Sequence, residues 1–315
     1  MVIGLIAHLI DHWNYNQPLG SLHLTGVEYV NIEPKPNGGY AEIHQGQYDG
    51  NTVALKYLNS YRNVQSDLPS SVATQEFIHE MLVWSHLKHG HIAELLGVVP
   101  IDSLIPNRRG LLMVSPWMGG NLREHLENLD RENHDDGKHN RYIEIANRLL
   151  YQVVQAIEYL HQNEIVHGDI RAVNVLIDDS DDRGNAILTD FGSATLVGIK
   201  NLRKAEQRKG GVRHQAPELL RSEVREPSFA CDVYSFGILC FEVFTGQEPY
   251  PGATNPQIKF NVARGMRPEI PEDPRCPMPN EIKVLMESCW KDSPSKRPSV
   301  KKIVKEMGHI CGAGQ

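Results

Sequence analysis

The sequence predicts an α+β chain in two lobes, a small sheet lobe crossed by one helix and then a larger, mainly helical lobe. Three observations predict it. Short β-branched runs sit before residue 115, one helical pattern interrupts them, and long helical periodicities take over after residue 140. With 315 residues, 40% hydrophobic and 23% charged, the chain has enough apolar content for a core in each lobe. Clefts between lobes are where small ligands are expected to bind.

The sheet lobe opens near residue 27. Asp49-Gly50 is a hairpin dipeptide, and Thr52-Val53-Ala54-Leu55-Lys56 after it is a short β-branched run. Side chains alternate across a strand, so Ala54 and Lys56 share one face while Val53 and Leu55 share the other. A lysine on such a strand is ordinarily a rim residue. Gln75 to Leu87 places Phe77, Met81 and Trp84 at helical spacing, with Glu80 beside that stripe. Ile92 to Val99 and Leu111 to Val114 read as two further strands. Beyond them, Tyr142 to His161 carries Ile145, Leu149, Val153, Ile157 and Leu160 at steps of three and four, an amphipathic helix. Cys231 to Gly246 is apolar almost all round, the mark of a helix buried inside a lobe. Asn128 to Asn140 and Asp178 to Asn185 are polar and read as solvated surface insertions.

Charge and cysteine content narrow the function. The 32 basic against 39 acidic residues leave a net charge of −7, which argues against a general nucleic-acid binder. Five cysteines without a C-x-x-C pair argue against a zinc site and a disulfide framework, and for a reducing compartment, cytoplasm or nucleus. No apolar run reaches the roughly 18 residues of a membrane span, so no membrane partner is expected. The stretch MVIGLIAHLI from Met1 to Ile10 lacks the basic start and small-residue cleavage site of a signal peptide. It is expected to form a short helix docked on the body.

The chemistry is concentrated later. His167-Gly168-Asp169-Ile170-Arg171-Ala172-Val173-Asn174 has the form H-x-D-x-x-x-x-N and runs into an apolar strand, Val175-Leu176-Ile177. Asp190-Phe191-Gly192 follows Asp169 by 21 residues, and Ala216-Pro217-Glu218 follows Asp190 by 26. Each motif alone is weak; in this order, behind a lysine strand and a glutamate helix, they make a strong joint signal. The set resembles the eukaryotic protein kinase domain. Asp232-Val233-Tyr234-Ser235-Phe236-Gly237 adds to the likeness, and Cys289-Trp290 through Pro294 to Arg297-Pro298 is similar to the tyrosine-kinase and tyrosine-kinase-like branch.

The resemblance covers about residues 27 to 308. It implies a bilobal protein-kinase-like fold: a flank over 1–26 without a recognisable domain, a small antiparallel-sheet lobe over 27–114, a hinge over 115–119, a large lobe over 120–308 and a short tail over 309–315. It also implies transfer of the γ-phosphoryl group of ATP, with Mg²⁺, to a hydroxyl of a protein substrate. Lys56 would hold the α- and β-phosphates and Glu80 would orient it. Asn174 and Asp190 would supply hard oxygen ligands to Mg²⁺, and Asp169 would accept the proton of the substrate hydroxyl. Arg171 stands where serine/threonine kinases carry a lysine on the γ-phosphate; a planar guanidinium keeps that role with another geometry. Gly38 and Gly39 belong to the phosphate-covering loop, Ala54 and Leu176 would sandwich the adenine, and Pro116, Trp117 and Met118 lie in the hinge. Glu218 and Arg297 resemble the pair that locks the activation segment in place.

Several positions depart from the family pattern. The phosphate-covering loop reads Pro36-Asn37-Gly38-Gly39-Tyr40-Ala41, with proline and alanine at the outer glycine positions. Losing one charge-assisted hydrogen bond there would cost roughly 1.5–3 kcal/mol, weakening nucleotide binding without abolishing it. Gly168 replaces an arginine that clamps a phosphate on the activation segment, and Leu196 to Gln215 contains no Ser, Thr or Tyr. Clamp and phosphate site are missing together, so activity is expected not to depend on activation-segment phosphorylation. Gly211 replaces a threonine that bonds the catalytic aspartate, which puts the substrate side in doubt. Two readings therefore stand: an active kinase, with Ser/Thr preferred over Tyr as acceptor, and a pseudokinase acting as a nucleotide-binding or scaffolding module. The basic run Lys200, Arg203, Lys204, Arg208, Lys209 and Arg213 is either a solvated loop or a recruiter of acidic substrate surface. Nothing in the sequence indicates an oligomeric state.

Overall fold

The computed structural model describes residues 20–37, 41–58, 71–105, 110–131, 138–180, 183–198, 211–221, 226–271 and 278–312. Gly38, Gly39 and the expected helix over Met1 to Ile10 lie outside these residues. The chain divides into two compact units, Met1–Lys88 with Ile92–Met118, and His89–His91 with Gly119–Gln315.

In the first unit, Asp49 and Gly50 turn at φ of 49° and 76°, the left-handed pair that a tight hairpin requires. They join β2 (Ala41–Tyr48) to β3 (Asn51–Leu58). With β1 (Glu28–Asn37), β4 (Gly97–Pro100) and β5 (Leu111–Pro116) these form a five-stranded antiparallel sheet in the order β1-β2-β3-β5-β4. Lys56 lies opposite Ile43 on one side and Met113 on the other, so it sits on an interior strand. Helix α1 (Ser71–Ser85) buries the predicted stripe of Phe77, Met81 and Trp84 completely.

One strand is shorter than the sequence suggests. Only Gly97–Pro100 of the run from Ile92 pairs in the sheet. Ile92, Ala93 and Leu95 are still buried, but their backbone goes elsewhere; the Ala93 carbonyl accepts the Trp84 indole N–H at 2.6 Å. A short apolar run reports burial and leaves the backbone path open.

The second unit is mainly helical. Strands β6 (Gly120–Asn121), β8 (Val175–Asp178) and β9 (Asn185–Leu188) form a small sheet, and β7 (Ile165–Val166) pairs with β10 (Thr195–Leu196). The helices are α2 (Leu122–Arg131), α3 (Lys138–Gln162), α4 (Pro217–Arg221), α5 (Phe229–Thr245), α6 (Asn255–Ala263), α7 (Asn280–Cys289) and α8 (Val300–Ile310). Asn128 to Asn140 is not a continuous loop: Asn128 to Arg131 end α2, and Lys138 to Asn140 begin α3. Their polar residues extend amphipathic helices. Helix α5 is buried from Cys231 to Thr245, as its apolar circumference requires. Among the described residues no helix is long and apolar enough to cross a membrane.

Arg297 fastens α4 to the rest of this unit. Its guanidinium reaches both Glu218 oxygens at 2.7 Å and also the carbonyls of Ala230, Lys291 and Asp292. Burial pushes the Glu218 carboxyl up, but Arg297 outweighs it and holds the group below its ordinary range. Arg297→Ala strands a buried carboxylate and should cost about 3–5 kcal/mol of stability in chemical unfolding; a loss under about 1 kcal/mol, as for an exposed pair, would contradict this role.

Candidate functional site

The first unit holds a buried ion pair. Lys56 Nζ lies 2.5 Å from Glu80 Oε1, with the side chains 9% and 1% exposed. Lys56 is therefore not a rim residue. It shares its face of β3 with Ala54, which is half-buried, while Val53 and Leu55 are buried on the other. At the end of β5, Pro116, Trp117 and Met118 are half-buried. The Trp117 N–H is already given to the Thr52 carbonyl at 3.1 Å, so Trp117 brings no free N–H to a ligand. Pro36 stands in register opposite Glu42, and Ala41 is buried.

The second unit contributes the 167–174 segment, and it is held from several sides. Asp232, fully buried on α5, accepts the backbone N–H of His167 at 2.8 Å and of Gly168 at 2.9 Å, and lies 2.9 Å from His161 Nε2. The His167 ring lies 3.0 Å from the Thr189 carbonyl and packs edge-on against Phe191. Glu242, ten residues further along α5, accepts the Ala172 N–H at 3.0 Å and pairs with Arg123 at 2.5 Å and His214 at 3.0 Å. Burial pushes the Glu242 carboxyl up, but His214, the Ala172 N–H and Arg123 more than offset this and bring it down to about 2.

Asp169 sits in the middle of this frame and is buried. Its Oδ2 accepts from Asn174 Nδ2 at 2.9 Å and lies 3.4 Å from Arg171 Nε. Its Oδ1 accepts the Gly211 N–H at 3.3 Å. A main-chain donor stands here where the family pattern has a hydroxyl. The Asn174 amide nitrogen also bonds the Asp169 carbonyl at 2.8 Å, which turns the amide oxygen toward other work. The Asn174 carbonyl accepts the Thr189 N–H at 2.9 Å, so the strand pair β8–β9 brings Asp190 next to Asn174. Asp190 takes φ of 67°, a left-handed conformation that an aspartate tolerates and that recurs at functional sites. Asn174 and Asp190 carry hard oxygen donors of the kind Mg²⁺ prefers, so the residue types fit the ion. Leu176 is half-buried on β8.

Three findings lay outside the sequence reading. Asp232 and Glu242 are the two charged residues of the apolar helix α5, and that isolation was a legible signal for both. His214 showed none. Arg213 bonds the carbonyls of Pro249, Tyr250 and Ala253 and pairs with Glu248. Its guanidinium is thus occupied within its own unit; Lys200, Arg203, Lys204, Arg208 and Lys209 lie outside the described residues.

Gly168 and Gly211 now separate. Gly168 takes φ of +78°, and a Cβ there would stand 2.8 Å from the Ser193 carbonyl. Gly211 takes an ordinary φ of −64°, and its Cβ would meet Arg171 Nη1 and His214 Nδ1 at 3.5 and 3.7 Å. Gly168→Ala should cost more than about 1 kcal/mol in thermal or chemical unfolding, and Gly211→Ala should stay within about 0.5 kcal/mol of the native protein. Equal losses at the two positions would contradict the assignment.

Comparison with known proteins agrees with this geometry. Residues 35–307 match the model of the protein tyrosine and serine/threonine kinase family. The megakaryocyte-associated tyrosine-protein kinase of Rattus norvegicus is 33% identical over 281 residues, 86% of this chain and 51% of that protein. The RGS domain-containing serine/threonine-protein kinase A of Dictyostelium discoideum is 30% identical over 276 residues, 87% of this chain and 22% of that one. A serine/threonine-protein kinase/receptor of Acanthamoeba polyphaga mimivirus, R818, is 30% identical over 278 residues, 87% of this chain and 15% of its own length. The chain thus spans about half or less of the curated relatives it matches. The sheet carrying a buried Lys–Glu pair, the framed Asp169 and Asn174, and a family match over most of the length lead to one statement: this chain belongs to the protein tyrosine and serine/threonine kinase family.

Proposed function

We propose that the chain is an active ATP-dependent protein kinase that phosphorylates serine or threonine in protein substrates without phosphorylation of its own activation segment. The observation that carries this is the fixing of Asp169, whose two carboxylate oxygens are held by different donors, Asn174 Nδ2 and the Gly211 N–H. A group held so firmly can orient a hydroxyl and take its proton. Lys56, aimed by Glu80, binds the α- and β-phosphates. Asn174 and Asp190 bind Mg²⁺, which when present neutralises phosphate charge. Arg171 supports the γ-phosphate, Ala54 and Leu176 enclose the adenine, and the hinge residues Pro116 and Met118 line the nucleotide.

The acceptor preference draws support from Gly210-Gly211 before Glu218, a degraded serine/threonine pattern, and from the names of two of the relatives above. Phosphorylation independence draws support from Gly168, whose crowded left-handed backbone leaves no place for a clamping side chain. A second reading, the pseudokinase, is favoured by Pro36 in register in β1 and by buried Ala41, both of which remove glycine from the phosphate-covering loop.

One experiment separates them. Saturating Mg-ATP at about 100 times Kd should stabilise the protein by about 2.7 kcal/mol, and γ-phosphate should pass to a generic protein acceptor on Ser or Thr. Lys56→Met and Asp190→Asn should each abolish transfer, while Asp169→Asn abolishes it and keeps the Tm shift. Stabilisation without transfer by the native protein would establish the pseudokinase, and native turnover by Asp169→Asn would overturn the role of Asp169. Loss of activity on phosphatase treatment would refute the proposed independence.

A further inference from the structure

The substrate-side segment and the segment bearing Asp169 run together as two rails of equal length. At one end Gly211 N–H bonds Asp169 Oδ1 at 3.3 Å. Three residues on along each rail, His214 and Ala172 meet on the same oxygen: Glu242 Oε2 lies 3.0 Å from His214 Nε2 and accepts the Ala172 N–H at 3.0 Å. The rail between Gly211 and His214 is closed on itself, since the His214 N–H bonds the Gly211 carbonyl at 3.0 Å, and Ser235 Oγ bonds the His214 carbonyl at 2.9 Å. The ring is buried, with a side-chain exposure of 6%, so it meets Glu242 away from water.

From this ladder we propose that His214 is a positioning residue for phosphoryl transfer, holding Gly211 on Asp169 by anchoring the far end of its turn to Glu242. The proposal rests on the kinase reading above and adds a residue to it. If the ring leaves Glu242, the turn from Gly211 to His214 keeps only its own closure and the Ser235 bond, and Gly211 N–H is free to drift from Asp169. Glu242 also depends on the ring: its other oxygen is taken by Arg123 from α2, and the His214 ring packs on the Oε2 side. A buried polar contact of this kind holds its geometry only while both partners are present. A histidine that merely filled space would be replaced by any ring of its size.

The substitutions follow from that contrast. His214→Phe keeps a flat ring and removes its nitrogens; His214→Gln keeps a donor near the place of Nε2. For His214→Phe, kcat should fall tenfold or more with KM for ATP held within about twofold, the mark of misplaced catalytic geometry and not of weaker nucleotide binding. His214→Gln should recover most of the loss. In parallel, amide hydrogen exchange at Gly211 and Ala172 should quicken in His214→Phe and return toward native rates in His214→Gln. Native kcat and native exchange in His214→Phe, or equal defects in both variants, would overturn the proposal. If the native protein transfers no phosphate, the kinase reading fails, and the exchange rates alone decide the role of His214. If His214→Phe does not fold, Glu242→Gln tests the pair from the other side. It keeps an acceptor for Ala172, and unchanged exchange at Gly211 would overturn the proposal, while faster exchange supports it.

Discussion

Two buried carboxylates on one apolar helix hold the chemistry of this chain in place. Asp232 and Glu242 lie ten residues apart on α5, about 15 Å along a helix axis. Asp232 takes the backbone N–H groups of His167 and Gly168; Glu242 takes that of Ala172. Asp169 lies between those grips. A buried carboxylate is costly unless it is paired and hydrogen-bonded, and here His161, His214 and Arg123 share that requirement. The cost of burying charge is thereby turned into a rigid backbone beneath Asp169.

That frame accounts for one of the departures from the family pattern. Gly168 follows from the first grip: with its N–H drawn to Asp232 and its backbone at φ of +78°, the residue lies under the Ser193 carbonyl and has no room for a side chain. Gly211 is different: its backbone takes an ordinary φ of −64° with room for a Cβ, and its N–H reaches Asp169 Oδ1 as that of another residue could. The segments bearing Asp169 and Gly211 are joined by a backbone bond and through Glu242, and no Ser, Thr or Tyr occurs from Leu196 to Gln215.

Much of this was legible in the sequence, and the gaps have physical causes. The hairpin at Asp49-Gly50, the stripe of α1 and the buried circumference of α5 follow from turn chemistry and periodicity, which act over a few residues. Lys56, Glu80, Asp169, Asn174 and Asp190 were marked by motif order. Strand limits between Ile92 and Gly97 were not legible, because apolar character reports burial and says nothing of which carbonyl the Trp84 indole will take. The partners of Arg213 were not legible either, because they are carbonyls 36 to 40 residues away in the chain. His214 was invisible for the same reason: its partner Glu242 lies on another element, and no local pattern records that pairing.

The most direct test of the frame is amide hydrogen exchange at His167 and Gly168, read residue by residue in the native protein and in Asp232→Asn. With Asp232 intact, both amides should exchange only on openings nearly as costly as global unfolding, and Asp232→Asn should accelerate both while α7 and α8 keep their protection. Exchange at these two amides that is fast in the native protein, or unmoved by the substitution, would contradict it.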